Sequence, residues 1–269
     1  MASEEIDVSC YPHVKSSPID AFDLKYADWR SVELINLGEQ NITIEPKLRE
    51  EIQPEMWRNL VAEYDAANLC NFLRKRDGYS AHFRYFEDIW LHDELNHYNG
   101  LRFLYHKIYG YNEDDIHHLV ISRTSDFSRI EGLIDSEFST LVCFAYDELC
   151  SARGYAEAFE LYDGFGVPGI STWIRRVARD EMFHSINAQR IILANHKDSL
   201  AKVPDVLQNI LEVDTDPTNK YSATFLFDHH EDGEHNPFSA SFLHTCAADI
   251  CKYLHIDPPR QWIEHANKQ

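Results

Sequence analysis

The chain has 269 residues, and its 45 acidic against 25 basic residues give a formal net charge of −20 at pH 7. Hydrophobic residues make up 44% and aromatic residues 13% of the sequence, which excludes a disordered chain. The acidic surface repels phosphate backbones and anionic lipids, so we expect neither a nucleic-acid partner nor a membrane partner.

The predicted elements are almost all helices, because long stretches separate the 10 glycines and 10 prolines. Pro54 is expected to begin a helix, since proline is tolerated in the first turn, and Gly110 and Gly164 are expected to end helices. In chain order the elements are an N-terminal arm over 1–50, helices over about 54–76, 81–109, 114–122, 128–162 and 169–196, a polar linker over about 212–237, and a last helix over about 238–254.

Two long helical hairpins, with turns at 77–80 and 163–166, are joined by a longer connection. This arrangement is typical of a ferritin-like four-helix bundle. We therefore predict an all-α, single-domain protein over 1–269, with the bundle over 54–196 and a linker and additional C-terminal helix over 212–269.

The sequence shows no targeting or membrane segment, because its N-terminal stretch, MASEEIDVSC, lacks an apolar run and no apolar run elsewhere approaches the length of a membrane span. Its six cysteines form no Cys-x-x-Cys pair, so reduced and mostly buried thiols are expected. Both observations favour a cytoplasmic location.

Two Glu-x-x-His motifs stand out, Glu94 with His97 on the second long helix and Glu181 with His184 on the fourth. Residues three apart share a helix face, so each pair can bind one ion from one side. Both pairs interrupt a largely apolar stripe, which is costly unless a cation compensates the buried charge. One such motif occurs by chance on many exposed helices, whereas two on alternate long helices indicate a di-metal site.

A di-metal bundle needs one more carboxylate from each remaining helix. In the first hairpin Glu63 lies almost as far before Gly78 as Glu94 lies after it. Antiparallel helices place such residues at the same level, so Glu63 is the predicted ligand. Asp65, two positions further along the chain, remains the alternative.

The second hairpin has the same symmetry about its turn. Glu148 lies almost as far before Gly164 as Glu181 lies after it, so Glu148 is the fourth predicted carboxylate. An aspartate directly precedes each motif, at Asp93 and Asp180.

A ligating imidazole usually donates its other N–H to a carboxylate, which fixes its tautomer. We therefore predict that Asp180 orients His97 and that Asp93 orients His184 across the bundle. Four carboxylates and two imidazoles suit two iron ions, with manganese as an alternative at one position, better than zinc.

The complete pattern resembles the diiron-carboxylate proteins, and among them the soluble acyl-carrier-protein desaturases. IWLHDELNH is similar to their second-helix motif and VARDEMFH to their fourth, although the arginine that commonly precedes the histidine in the former is missing. The resemblance extends over about residues 55–260, and its specific part is the metal motifs. It implies a dioxygen-activating oxidoreductase that performs desaturation, hydroxylation or N-oxygenation, and it implies an oxygen-side role for Ser151, for which a small packing residue is the alternative.

The expected substrate is a small molecule or one tethered to an acyl or peptidyl carrier protein. The basic segments Arg175-Arg176-x-x-Arg179 and Arg74-Lys75-Arg76 are candidate docking sites for such a carrier, with charge balance on exposed helix faces as the alternative. No flavin or nicotinamide fingerprint is present, so electrons are expected from a separate ferredoxin or reductase. A homodimer is also expected.

Three further interpretations remain open. A non-enzymatic ferritin-like protein for iron storage or metal buffering would use similar ligands. A radical-generating reductase subunit would need a tyrosine just after His97, where Leu101 stands. The histidine-rich segment 228–235 would either bind a metal in a loop or serve as a solvated linker.

Overall fold

The structure, a computed structural model, describes residues 24–35, 42–216, 226–227, 229 and 238–266. Every regular element in these ranges is a helix, which confirms the predicted all-α class. No helix among them is long and apolar enough to cross a membrane. The helices are α1 (Ser31–Ile35), α2 (Pro46–Leu73), α3 (Ala81–Tyr109), α4 (Glu113–Ile121), α5 (Glu137–Glu157), α6 (Phe159–Asp163), α7 (Pro168–Asn195), α8 (Val203–Asp214), α9 (Ala240–Tyr253) and α10 (Arg260–Ala266), with a 3₁₀ segment (Lys197–Lys202) between α7 and α8.

The helix that carries Glu63 begins earlier than predicted. α2 has Pro46 in its first turn, where the missing backbone N–H costs nothing, and Pro54 lies inside the helix. Pro54 is exposed, so the carbonyl that it leaves without a helical partner can be solvated. The predicted beginning at Pro54 is therefore wrong.

The helix that carries Glu148 is shorter than the predicted 128–162. It begins at Glu137, because the Ser136 side chain accepts a hydrogen bond from the backbone N–H of Ser139 in a capping box. It ends at Glu157, and α6 follows after a break at Ala158.

The other two long helices match their prediction closely. The Ser80 hydroxyl accepts a hydrogen bond of 3.2 Å from the backbone N–H of Phe83 and begins α3. Gly110, with φ of 78°, ends the same helix. Pro168 occupies the first turn of α7.

Helices α8 and α10 were not predicted. α8 lies mostly before the expected linker and overlaps it only at residues 212–214. Residues 217–225, 228 and 230–237 lie outside the described residues, and with them most of the histidine-rich segment. Of the N-terminal arm over 1–50, residues 24–35 and 42–50 are described; the first range includes α1 and the second includes the beginning of α2.

Two apolar clusters are separated by a polar layer along the long helices. α2 packs against α3, α5 packs against α7, and α3 also contacts α7. One cluster includes Leu69, Phe86 and Phe144, and the other includes Leu60 and Leu104. Each fully buried side chain of this size contributes roughly 1.5–3 kcal/mol. The clusters therefore fix the helices on both sides of the layer between them.

Candidate metal centre

The polar layer between the apolar clusters contains all six predicted ligands. Each of their residues is at most 3% exposed. They come from four different helices: Glu63 from α2, Glu94 and His97 from α3, Glu148 from α5, and Glu181 and His184 from α7.

The six residues form two overlapping groups, and in each group one donor atom per residue lies within 4.8 Å of the others. Glu94 and Glu181 belong to both groups. A carboxylate common to two groups can bridge two cations with its two oxygens. The first group is Glu63, Glu94, His97 and Glu181, and the second is Glu94, Glu148, Glu181 and His184.

In both imidazoles Nδ1 faces the glutamate carboxylates of the two donor groups. His97 Nδ1 lies 3.4 Å from Glu63 Oε2 and 3.2 Å from Glu181 Oε1. His184 Nδ1 lies 3.1 Å from Glu181 Oε2 and 3.2 Å from Glu148 Oε2. Glu181 therefore presents one oxygen to each imidazole, as a bridging carboxylate would.

Several of these atoms are buried without a hydrogen bond. Glu63 Oε2, Glu94 Oε1 and both ring nitrogens of His97 have no hydrogen-bond partner in the described part of the chain. A buried polar group left in this state costs about 1–3 kcal/mol, and more when it is charged. A cation between these atoms would remove that cost, so the residues fit a metal centre.

Burial and neighbouring charges shift the pKa of several groups in the layer. Burial raises the pKa of Glu94 and Glu148 well above the ordinary carboxyl value. Burial acts to lower the pKa of both imidazoles, but the charges of Glu181 and Glu148 outweigh it, so the pKa of His97 and of His184 lies well above its ordinary value. Burial likewise opposes ionisation of Glu181, yet the charge of His97 brings its pKa below the ordinary value. Divalent ions would compete with protons for these groups.

The predicted orienting aspartates lie behind the imidazoles, in the predicted crossed arrangement. Asp93 Oδ2 is 3.2 Å from His184 Nε2, within hydrogen-bond distance. Asp180 Oδ2 is 3.7 Å from His97 Nε2, within ion-pair distance but beyond a hydrogen bond. Both carboxylates are fully buried.

Comparison with known proteins found no relative with which this geometry can be compared. No family model, curated protein or solved structure matches this chain. The resemblance to the diiron-carboxylate proteins therefore rests on the two motifs and their spacing alone.

Residues 24–31, which we call the strap, contact both orienting aspartates. The backbone N–H of Ala27 donates to Asp93 Oδ2 at 2.9 Å. The indole N–H of Trp29 donates to Asp180 Oδ2 at 2.7 Å. A single short segment thus supports the outer partner of each imidazole.

Two asparagines hold the strap in place. The backbone N–H of Lys25 donates to the side-chain oxygen of Asn187 at 3.1 Å, and the Asn187 amide donates back to Lys25 O at 2.7 Å. In the same way Ser31 N–H donates to Asn96 at 2.8 Å, and Asn96 donates to Trp29 O at 3.1 Å. The strap was not predicted from the sequence. The sequence signal for the strap is a pair of amides, Asn96 and Asn187, that lie three and seven residues after Asp93 and Asp180 and so share their helix faces.

Asp65 and Ser151 belong to neither group. The Asp65 carboxylate accepts a hydrogen bond from Asn68 of the same helix, at 2.6 Å, and one from Ser125, which joins α2 to the segment before α5. Glu63 is therefore the α2 residue of the site.

Ser151 is half-buried one turn after Glu148, and its hydroxyl makes no hydrogen bond to any of the six ligands within the described ranges. Its oxygen-side role stays a prediction.

The basic segments make local ion pairs. Arg175 binds Asp163 through both terminal nitrogens, at 2.7 Å each, and Arg179 binds Asp180 at 2.9 Å. Arg74 binds Asp88 at 2.8 Å. These contacts agree with the charge-balance interpretation, and docking of a carrier protein stays a prediction.

Proposed function

We propose that this chain is a dioxygen-activating diiron oxidoreductase, and that α2, α3, α5 and α7 form a ferritin-like bundle around two iron ions. The observation that carries the proposal is that the two donor groups share Glu94 and Glu181. Two ions would therefore lie side by side. Four carboxylates would balance the charge of two divalent ions, with neutral imidazoles, in a layer closed to water.

The donor atoms are carboxylate oxygens and imidazole nitrogens without a thiolate, and this set favours iron or manganese over zinc. Two ferrous ions held there would supply electrons for the reduction of dioxygen. Asp93 and Asp180 would accept the outer N–H of the imidazoles and so keep Nδ1 directed at the ions. The apolar clusters on both sides would exclude water and protect reactive species from side reactions.

Desaturation, hydroxylation and N-oxygenation of a small or carrier-tethered substrate all agree with this site. Each turnover needs electrons from outside the centre, and the sequence carries no flavin or nicotinamide fingerprint. We therefore include a ferredoxin or reductase as the electron donor in the proposal.

The test starts with protein that is purified and loaded with Fe²⁺ under anaerobic conditions. We expect about two irons per chain by elemental analysis, one for each donor group. On mixing with oxygen, we expect rapid oxygen uptake with a transient visible absorption and no further iron uptake. Accumulation of a ferric mineral would instead favour the storage alternative, and absence of iron binding would contradict the proposal.

A matched pair of variants separates the site from general stability. Glu181→Gln removes a shared carboxylate and should abolish binding of both irons. Glu87→Gln alters an equally buried carboxylate on α3 that pairs with Arg74 and Arg84 instead, and should keep both irons.

A further inference from the structure

Glu63 and Glu148 each belong to only one donor group, and in each carboxylate Oε1 accepts a hydrogen bond from an aromatic side chain. The Tyr155 hydroxyl donates to Glu63 Oε1, while Glu63 Oε2 lies 3.4 Å from His97 Nδ1. The Trp90 indole N–H donates to Glu148 Oε1 at 2.6 Å, while Oε2 lies 3.2 Å from the second imidazole. In both cases Oε2 is the oxygen that faces the metal position.

The contact of Tyr155 is a tertiary one, because it lies on α5 and Glu63 lies on α2. A phenol has a single O–H to donate and is protonated at neutral pH. Glu63 Oε2 is the oxygen of this carboxylate that has no hydrogen-bond partner in the described ranges. The two oxygens of Glu63 thus have different environments before any ion binds.

We infer that Tyr155 is a positioning residue that restricts Glu63 to coordination through Oε2 alone. With one atom from each residue, four protein donors would face an ion beside His97, and a bidentate Glu63 would add a fifth. An ion with fewer protein donors keeps a position for a small exogenous ligand. The inference rests on the proposed di-metal centre, and Trp90 acts in the same sense on Glu148.

The test uses cobalt(II), whose visible absorption per ion weakens as its coordination number rises, and azide as the exogenous ligand. Tyr155→Phe removes the hydroxyl and keeps the ring. At saturating cobalt we expect the wild type and this variant each to bind about two ions per chain, one for each donor group. The variant should show weaker visible absorption and about tenfold weaker azide binding, which is the lower end of the range by which loss of an outer partner changes metal affinity or activity.

Tyr162→Phe is the matched control. Tyr162 is a buried tyrosine of α6 in the apolar cluster beside the site, and its hydroxyl makes no hydrogen bond to Glu63 in the described structure. This variant should keep the spectrum and the azide affinity of the wild type.

The outcomes separate the inference from the proposed function. If the wild type binds no cobalt, the di-metal centre itself is contradicted. If Tyr155→Phe binds two ions but keeps the wild-type spectrum and azide affinity, or if it loses one ion at saturation, the inference is overturned. If the variant does not fold, azide titration of the cobalt-loaded wild type decides, because absence of azide binding at both ions would refute an accessible coordination position.

Discussion

Asn187 offers a way to loosen the strap without changing a metal ligand. Its side chain is fully buried on α7, one turn after His184, and it belongs to neither donor group. Both of its amide atoms bind the backbone of Lys25, at 3.1 and 2.7 Å. Asn187→Ala removes both hydrogen bonds and frees one end of the strap.

The expected loss of stability is about 1–3 kcal/mol, because each of the two hydrogen bonds contributes about 0.5–1.5 kcal/mol. The backbone N–H of Ala27 should then bind Asp93 less firmly, since Lys25 no longer fixes the strap beside it. Asp93 in turn orients His184. We therefore expect metal affinity of the donor group that contains His184 to fall about tenfold.

Urea unfolding of the metal-free protein measures the change in stability, and calorimetric titration with Mn²⁺ measures the two affinities. Limited proteolysis should become faster within the strap. Gln189→Ala is the control, because Gln189 is also buried on α7 but donates to Ser185 of the same helix, at 3.0 Å. If Asn187→Ala and Gln189→Ala have the same metal affinities and cleavage rates, the supporting role of the strap is refuted.

Three further predictions concern the layer itself. Glu63→Gln should lose one of two bound metals, whereas Asp65→Asn should keep both and lose only stability, as elemental analysis and thermal unfolding will show. In the metal-free protein the raised pKa values of Glu94 and Glu148 mean that the folded state binds more protons than the unfolded state. Its free energy of unfolding should therefore fall as pH rises above about 4.5. It should fall further above about 6.5, because the pKa values of His97 and His184 are also raised in the folded state. Metal loading should remove this pH dependence. Ser151→Ala should leave metal content unchanged and alter the rate of oxygen uptake by the iron-loaded protein.

These predictions fail in different ways. Equal metal loss in Glu63→Gln and Asp65→Asn would contradict the assignment of Glu63 as the α2 ligand. A free energy of unfolding of the metal-free protein that increases with pH above neutrality would contradict the raised pKa values. An unchanged rate of oxygen uptake after the serine substitution would leave the packing interpretation of that residue.

The helices that were predicted well have local signals at their ends. Ser80 and Gly110 delimit α3, and both act within a short stretch of the chain. The beginning of α5 was predicted wrongly because Phe127, Ile130 and Ile134 continue a helix-like apolar spacing upstream. All three are buried, but they lie in the non-helical segment before α5, so their spacing reflects burial and does not reflect a helix.

The ligand layer was predictable because two antiparallel helices with the same rise per residue bring positions equally far from a turn to one level. That symmetry identified Glu63 and Glu148 without any local motif. The contacts around the layer follow no such rule. Trp29 meets Asp180 across 151 positions of the chain, and Tyr155 meets Glu63 across 92, and no periodicity in the sequence connects these pairs.

We propose that the shared carboxylates hold two cations between four helices. Anomalous diffraction from crystals soaked with Mn²⁺, or anaerobically with Fe²⁺, tests this directly. We expect two neighbouring peaks, one beside Glu63 and His97 and one beside Glu148 and His184, with Glu181 in contact with both. A single peak, or metal bound only elsewhere, would contradict the account.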